Sequence, residues 1–295
     1  MMEVVRFFLG IDVGNSRIKF GLFDRSRAEV ASNGLALCVH SLAVRMSEPI
    51  PWDRIVGWVE GLADEWRAAV AGANPEGVDR LVSQWPAKLG ASPEHIRDVT
   101  RFPIRIRVDE PGKVGVDRVL NAVAANVLRR PGQAAIIVDS GTATTVDFVD
   151  GEGAFRGGAI LPGLRLAARS LHEYTALLPL VTMDELRQEP VPIVGRNTNE
   201  AIRSGIFWGQ LGAVRELIGR MERAAAETSR KAAPTERSEP RPSLPASDLP
   251  EPVRPLLLLT GGGGLLLSRE IPQGRLEPHL SLQGLAIVAA HGTKG

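Results

Sequence analysis

Ile-Ile-Val-Asp139-Ser-Gly-Thr-Ala-Thr-Thr-Val-Asp-Phe-Val, residues 136–149, is the stretch from which the fold can be read. Residues 134–138 form a short apolar run, as a buried strand does. The run ends in an acid, Asp139, and the small residues after it let backbone N–H groups approach an anion. A second strand is expected over residues 145–149, and Asp150-Gly151 is a hairpin signal leading to a third strand that reaches Gly157-Gly158. The same grammar occurs near the N-terminus. Residues 7–11 are apolar, Asp12-Val13-Gly14-Asn15-Ser16 again gives acid, glycine and hydroxyl, and Ile18, Phe20 and Leu22 alternate with Lys19 and Gly21. Two copies imply two similar halves facing one cleft, with a nucleotide between them and a phosphate turn on each side.

Composition narrows the function classes. The chain has 295 residues, enough for about two domains, and 44% of them are hydrophobic. A net charge of +1 argues against a general nucleic-acid or membrane-surface role. The single cysteine, Cys38, excludes an intrachain disulfide and a cysteine metal cluster and suits a cytoplasmic setting. No apolar run approaches the roughly 20 residues of a membrane span. The opening residues carry an early acid and do not read as a signal peptide. The histidines are scattered without metal-ligand spacing.

Between the two motifs the pattern predicts a helix over residues 53–71, a strand over 81–85, and a short helix capped by Ser92 with Pro93 at its first position. Residues 24–50 carry no clear pattern. Ile104, Ile106 and Val108 alternate with arginines as an exposed-edge strand does. A helix begins near Gly115-Val116-Asp117-Arg118, and Pro131-Gly132 ends it. A boundary there gives domains 1–131 and 132–295. In the second, residues 157–163 read as a tight apolar loop, 164–178 and 198–223 as helices, 256–259 as a strand and 282–291 as the closing helix. Residues from about 225 to 255, rich in proline, serine and charge, read as a disordered insert.

Several residues carry candidate chemistry beside a plainer role. Asp12 and Asp139 suit a Mg²⁺–nucleotide, with Gly14 and Gly141 giving close approach and Ser16, Thr142 and Thr144 giving hydroxyls. Each is otherwise a turn after a strand. Asp117 is either a helix cap or a base taking a proton from an attacking hydroxyl. Arg118 beside it can hold a carboxylate or a phosphate. Glycines 261–264 form no Walker motif, because no lysine and hydroxyl follow. Asp147, Asp150 and Glu152 lack EF-hand spacing and read as a solvated hairpin tip.

Taken together the chain resembles the type III pantothenate kinases, of the acetate kinase/sugar kinase/Hsp70/actin superfamily. The carriers are residues 12–16, Gly115-Val116-Asp117-Arg118 with Asn121, Asp139-Ser140-Gly141-Thr142, residues 157–163, Asn197-Thr198, and Thr260-Gly261-Gly262. The resemblance implies two ribonuclease-H-like α/β domains, each a mixed five-stranded sheet, with the active site in the cleft. It implies phosphorylation of pantothenate by ATP with Mg²⁺, the first step of coenzyme A synthesis, in a homodimer enclosing pantothenate near its interface. By resemblance, Asp12, Val13, Gly14, Asn15, Ser16, Arg17, Ile18 and Lys19 bind ATP phosphates and Thr142 contacts ATP. Asp117 is then the proton acceptor, Gly115, Val116, Asp117, Arg118 and Thr198 contact pantothenate, and Asp139 binds K⁺ or NH₄⁺. The family usually has threonine where Ser16 stands, often a tyrosine where Val108 stands, and commonly an acid where Gly263 stands. A same-fold kinase of another small alcohol, and a non-catalytic regulatory protein, remain alternatives at this point.

Overall fold

The computed structural model describes residues 5–27, 34–62, 65–232 and 253–291, apart from the side chains of residues 27 and 228–232. The first expected hairpin is β1 (Phe7–Val13) and β2 (Arg17–Asp24), antiparallel, with Asp12 in register with Lys19. β3 (Leu37–Arg45) lies antiparallel outside β2. α1 (Trp52–Val59) is shorter than expected: it stops at Glu60, and Gly61 turns the chain with φ 85°. What reads as its second half is β4 (Trp66–Gly72), parallel to β1. Ala68, Ala69 and Ala71 favour helix locally, but main-chain pairing beside a buried strand overrides that preference.

Two further expectations fail for similar reasons. Residues 81–83 are not strand but the end of α2 (Pro75–Ser83), whose start is marked by Pro75 at its first position and by Asn74 Oδ1 accepting from the Gly77 N–H at 3.0 Å. Pro93 opens no helix. β5 (Glu94–His95) pairs parallel with β4 instead, and the Ile96 N–H donates to Val70 O at 2.9 Å while Ile96 itself is buried. Residues 104–108 make a single bridge, Ile106 to Phe155, and their apolar side chains are tucked against the core rather than exposed. α3 (Val116–Leu128) follows as expected.

The second sheet repeats the first. β6 (Ala135–Ser140) and β7 (Ala143–Val149) form its hairpin, and β8 (Phe155–Pro162) lies antiparallel outside β7. Residues 157–162 are therefore strand, not loop. Gly158 runs so close to β7 that a Cβ on it would sit 2.1 Å from Val146 O. α4 (Leu164–Glu173) ends earlier than expected, where the chain folds back to bring Leu178 O within 2.8 Å of His172 Nδ1. α5 (Met183–Leu186) starts on a capping box of Thr182 and Glu185. α6 (Thr198–Ala232) runs on past residue 223 into the stretch read as disordered, because residues 224–226 are alanines and the next proline is Pro234. Residues 233–252, the rest of that stretch, lie outside the described residues. β9 (Leu256–Thr260) is parallel to β6, and α7 (Gly264–Glu270), β10 (Arg275–Leu276) and α8 (Leu280–His291) complete the order.

The sheets read β3-β2-β1-β4-β5 and β10-β9-β6-β7-β8, five strands each with matching parallel and antiparallel neighbours. This is the duplicated ribonuclease-H-like α/β fold. α3 and α8 pack on each other, α8 also against β1, β2 and β4, and α3 against β4, β6 and β7. Val119, Leu120 and Val123 of α3 and Leu282 and Leu285 of α8 are buried there, each side chain contributing about 1.5–3 kcal/mol. The helices cross so tightly that a Cβ on Gly284 would lie 2.0 Å from Leu120 O. Gly284→Val should therefore destabilise the protein by at least about 1–3 kcal/mol, the usual cost of overpacking, read as a lower melting temperature. An unchanged melting temperature would mean that the crossing is looser than described.

Candidate active site

Both hairpins carry their acid one residue before the strand ends, and each turn is closed by a glycine N–H. The Gly14 N–H donates to Arg17 O at 2.9 Å, and the Gly141 N–H to Ala143 O at 2.9 Å. The two turns meet: Ser16 Oγ and Thr142 Oγ1 are 2.8 Å apart. Around that contact lies a cavity of about 570 Å³, lined from the first half by Asp12, Gly14, Asn15, Ser16, Arg17, Lys19 and Asp117. From the second half come Asp139, Thr142, Thr145, Arg165, glycines 261–263 and His279. Gly261, at φ 82°, passes Asp139 so closely that a Cβ would meet its Oδ1 at 2.3 Å, which explains the glycine.

The charged centre is three carboxylates about one ammonium. Lys19 Nζ lies 3.3 Å from Asp12 Oδ2, which also accepts from Ser281 Oγ at 2.8 Å. Asn121 Nδ2 donates to Asp139 Oδ2 at 3.0 Å. Asp117 Oδ1 accepts from the Arg118 N–H at 2.9 Å, at the start of α3. Burial first, and then the charges of Asp12 and Asp139, push the Asp117 carboxyl up to about 6, against the opposing pull of Arg118's N–H and Lys19. Burial alone would lower the Lys19 ammonium, but Asp12, Asp139 and Asp117 together raise it.

Not every expected residue converges. Val13 and Ile18 are buried, with side chains turned into the core, so only their backbone is available at the turn. Gly115, Val116 and Arg118 flank Asp117 outside the cavity lining. Arg118 is committed to Asp147: its Nε lies 3.0 and 3.2 Å from the two carboxylate oxygens, and its Nη2 bonds Oδ1. Asp147 is fully buried and Asp150 nearly so, a correction to the solvated hairpin tip; only Glu152 of that group is exposed. Thr198 stands apart, in a second cavity of about 610 Å³ between α4, α6 and β8. Sequence reasoning missed Ser281, Thr145 and His279 as neighbours of the site. Alternation along β7 places Thr145 and Asp147 on one face, but nothing marks Ser281.

The type III pantothenate kinase family model matches residues 8–220. A type III pantothenate kinase of Desulfosudis oleivorans is 31% identical, the match covering 96% of this chain and 98% of that one. One from Legionella pneumophila is 32% identical over 97% and 99%. One from Persephonella marina is 29% identical over 96% and 99%. Among solved structures, one described as a Baf family transcriptional activator from Campylobacter jejuni superposes with a TM-score of 0.51 at 15% identity, covering 96% of this chain and 98% of that one, and so shares the fold.

The raised Asp117 value has a stability consequence. With a folded-state value near 6 against 3.8, folded protein binds the proton more tightly than unfolded. The resulting cost is absent below about pH 4 and full above about pH 6. The cap of α3 is Gly115, not Asp117, and Asp117→Asn mimics the uncharged form while keeping an oxygen to accept from the Arg118 N–H. Its melting temperature should exceed the parent's at about pH 8 and match it at about pH 4. A lower melting temperature at the higher pH would mark the Asp117 charge as structural.

Proposed function

The chain belongs to the type III pantothenate kinase family, and we propose that the cavity between the two hairpin turns is where ATP meets pantothenate. The protein is a pantothenate kinase, catalysing the ATP-dependent first step of coenzyme A synthesis. The observation that carries the assignment of roles is the placement of Asp117, a cavity-lining carboxylate at the start of α3 beside two other acids and a lysine, with burial and those acids raising it to about 6. A base poised near neutral pH suits abstraction of a hydroxyl proton.

In this reading the ATP phosphates lie along residues 12–19, against backbone N–H groups and the paired hydroxyls of Ser16 and Thr142, with Lys19 offsetting their charge. The primary hydroxyl of pantothenate attacks the terminal phosphorus as its proton passes to Asp117. The bond to the bridging oxygen breaks, and ADP leaves with that oxygen. Such transfer runs mainly on positioning and electrostatics. Gly115, Val116 and Arg118 hold pantothenate beside Asp117, with Arg118 the cation for its carboxylate.

The family's chemistry requires a divalent cation, which we assign as Mg²⁺. Asp12 and Asp139 are the two carboxylates that would hold it. That fits an ion carried largely by phosphate oxygens and water. A monovalent K⁺ or NH₄⁺ fits Asp139: beside it, Asn121 Oδ1 is a buried amide oxygen without a donor among the described residues. Both ions would supply positive charge against the phosphates.

Exposed Tyr174, Leu177, Ile193 and Val194 supply apolar surface for the homodimer, which would bring Thr198 of one copy towards the other's substrate. The division near residues 131 and 132 and a cytoplasmic setting complete the reading.

Asp117→Asn should bind ATP and pantothenate yet release ADP about 10²–10⁴ times more slowly. Turnover within about threefold of the parent removes the base from Asp117. Replacing K⁺ by Na⁺ at equal ionic strength should sharply reduce turnover, and equal rates would dismiss the cation at Asp139. A panel of small alcohols in the same ADP-release assay checks the substrate, since faster turnover of another alcohol would displace pantothenate.

A further inference from the structure

Asp147 is an uncommon residue for its place. It stands within β7, the middle member of the β6-β7-β8 pairing, is fully buried, and is approached by donors from two directions. Arg118 Nε and Nη2 occupy one edge of its carboxylate, and Thr145 Oγ1 donates to Oδ2 at 3.0 Å. The guanidinium lies 5.6 Å from the centre of the Phe155 ring, which backs it. Gly158 on the neighbouring strand leaves the room, since a Cβ there would fall 2.6 Å from Asp147 Oδ1.

Stability does not account for this pair. Desolvating two charges costs several kcal/mol, and well-packed apolar residues of similar volume commonly do as well or better. What a buried carboxylate does supply is orientation. An arginine has several rotamers and five donors. With its Nε and Nη2 edge held by a strand, the stem loses that freedom, and Nη1 takes no part in the bonds to Asp147. The same residue's main-chain N–H holds Asp117 Oδ1. A chain of contacts thus runs from cavity-lining Thr145 through Asp147 and Arg118 to Asp117.

We propose that Asp147 is a positioning residue for substrate selection, aiming Arg118 at the carboxylate of the acid substrate. The inference rests on the reading of Arg118 as a pantothenate contact. It predicts that Asp147 controls how well the enzyme distinguishes an anionic substrate from a neutral one of the same shape.

The test compares kcat/KM for pantothenate with that for its primary amide, on one preparation of each variant, so that the fraction folded cancels. Asp147→Asn and Arg118→Gln should each lower the acid-over-amide ratio by at least about tenfold, the scale of one charge-assisted contact. KM for ATP should stay within about twofold, because that substrate is held elsewhere. Asp147→Asn added to Arg118→Gln should lower the ratio no further, as expected for a residue acting through another. A ratio lowered by Arg118→Gln but unchanged by Asp147→Asn overturns the positioning role and leaves the Arg118 reading standing. A ratio unchanged by both overturns that reading and this inference with it. If Asp147→Asn does not fold, Thr145→Val, which removes one donor and keeps the ion pair, should lower the ratio about two- to threefold, and no change there overturns the proposal.

Discussion

Three carboxylates held around one ammonium form the constraint on which the rest of this structure depends. Asp12, Asp117 and Asp139 repel one another, and Lys19 offsets only part of their charge. Each acid is therefore tied by a donor of its own: Ser281 and Lys19 for Asp12, Asn121 for Asp139, and the Arg118 N–H for Asp117. In a buried setting such bonds contribute more than they would in water, and a missing one costs more. Burial first, and then the repulsion that remains, moves Asp117 up towards a value a base can use.

Two of those donors arrive crosswise. Asn121 belongs to α3, before the second sheet begins, yet it serves the acid of β6. Ser281 belongs to α8, after the second sheet is finished, yet it serves the acid of β1. Neither hairpin completes its own carboxylate. The duplicated topology explains this economy of parts, because the two helices lie between the sheets and each reaches the acid opposite its own. Folding and site assembly are then a single event, since the packing that buries Val119, Leu120, Leu282 and Leu285 also delivers both hydrogen bonds.

What could be read in advance was what is local. Acid, glycine and hydroxyl after an apolar run identified both hairpins, and α3 was expected from its leading acid and alanine-rich run, with α6 and α8 also expected as helices. The region between Asp53 and Ile96 was misread because its alanines prefer helix while pairing beside β1 demands strand, and because the cap at Asn74 was passed over. Asp147 was misread because its exposure depends on α3, which lies across the face that Thr145 and Asp147 share. Ser281 was invisible because its importance lies in a partner 269 positions away. Arg118 was legible as an anion-holding cation, but the anion it holds within the chain was not.

The backbone-to-backbone crossing at Gly284 and Leu120 bears on how the cleft can move. At the point where they meet, the two backbones have no side chain between them and cannot come closer. A rotation of one sheet against the other about that point would act like scissors about their pin. Ser16 and Thr142 sit at the blade tips, and Asn121 and Ser281 lie within a few residues of the pin in sequence. A given angle of opening displaces the tips more than the pin, so the phosphate turns can part while the bonds that hold Asp12 and Asp139 barely stretch.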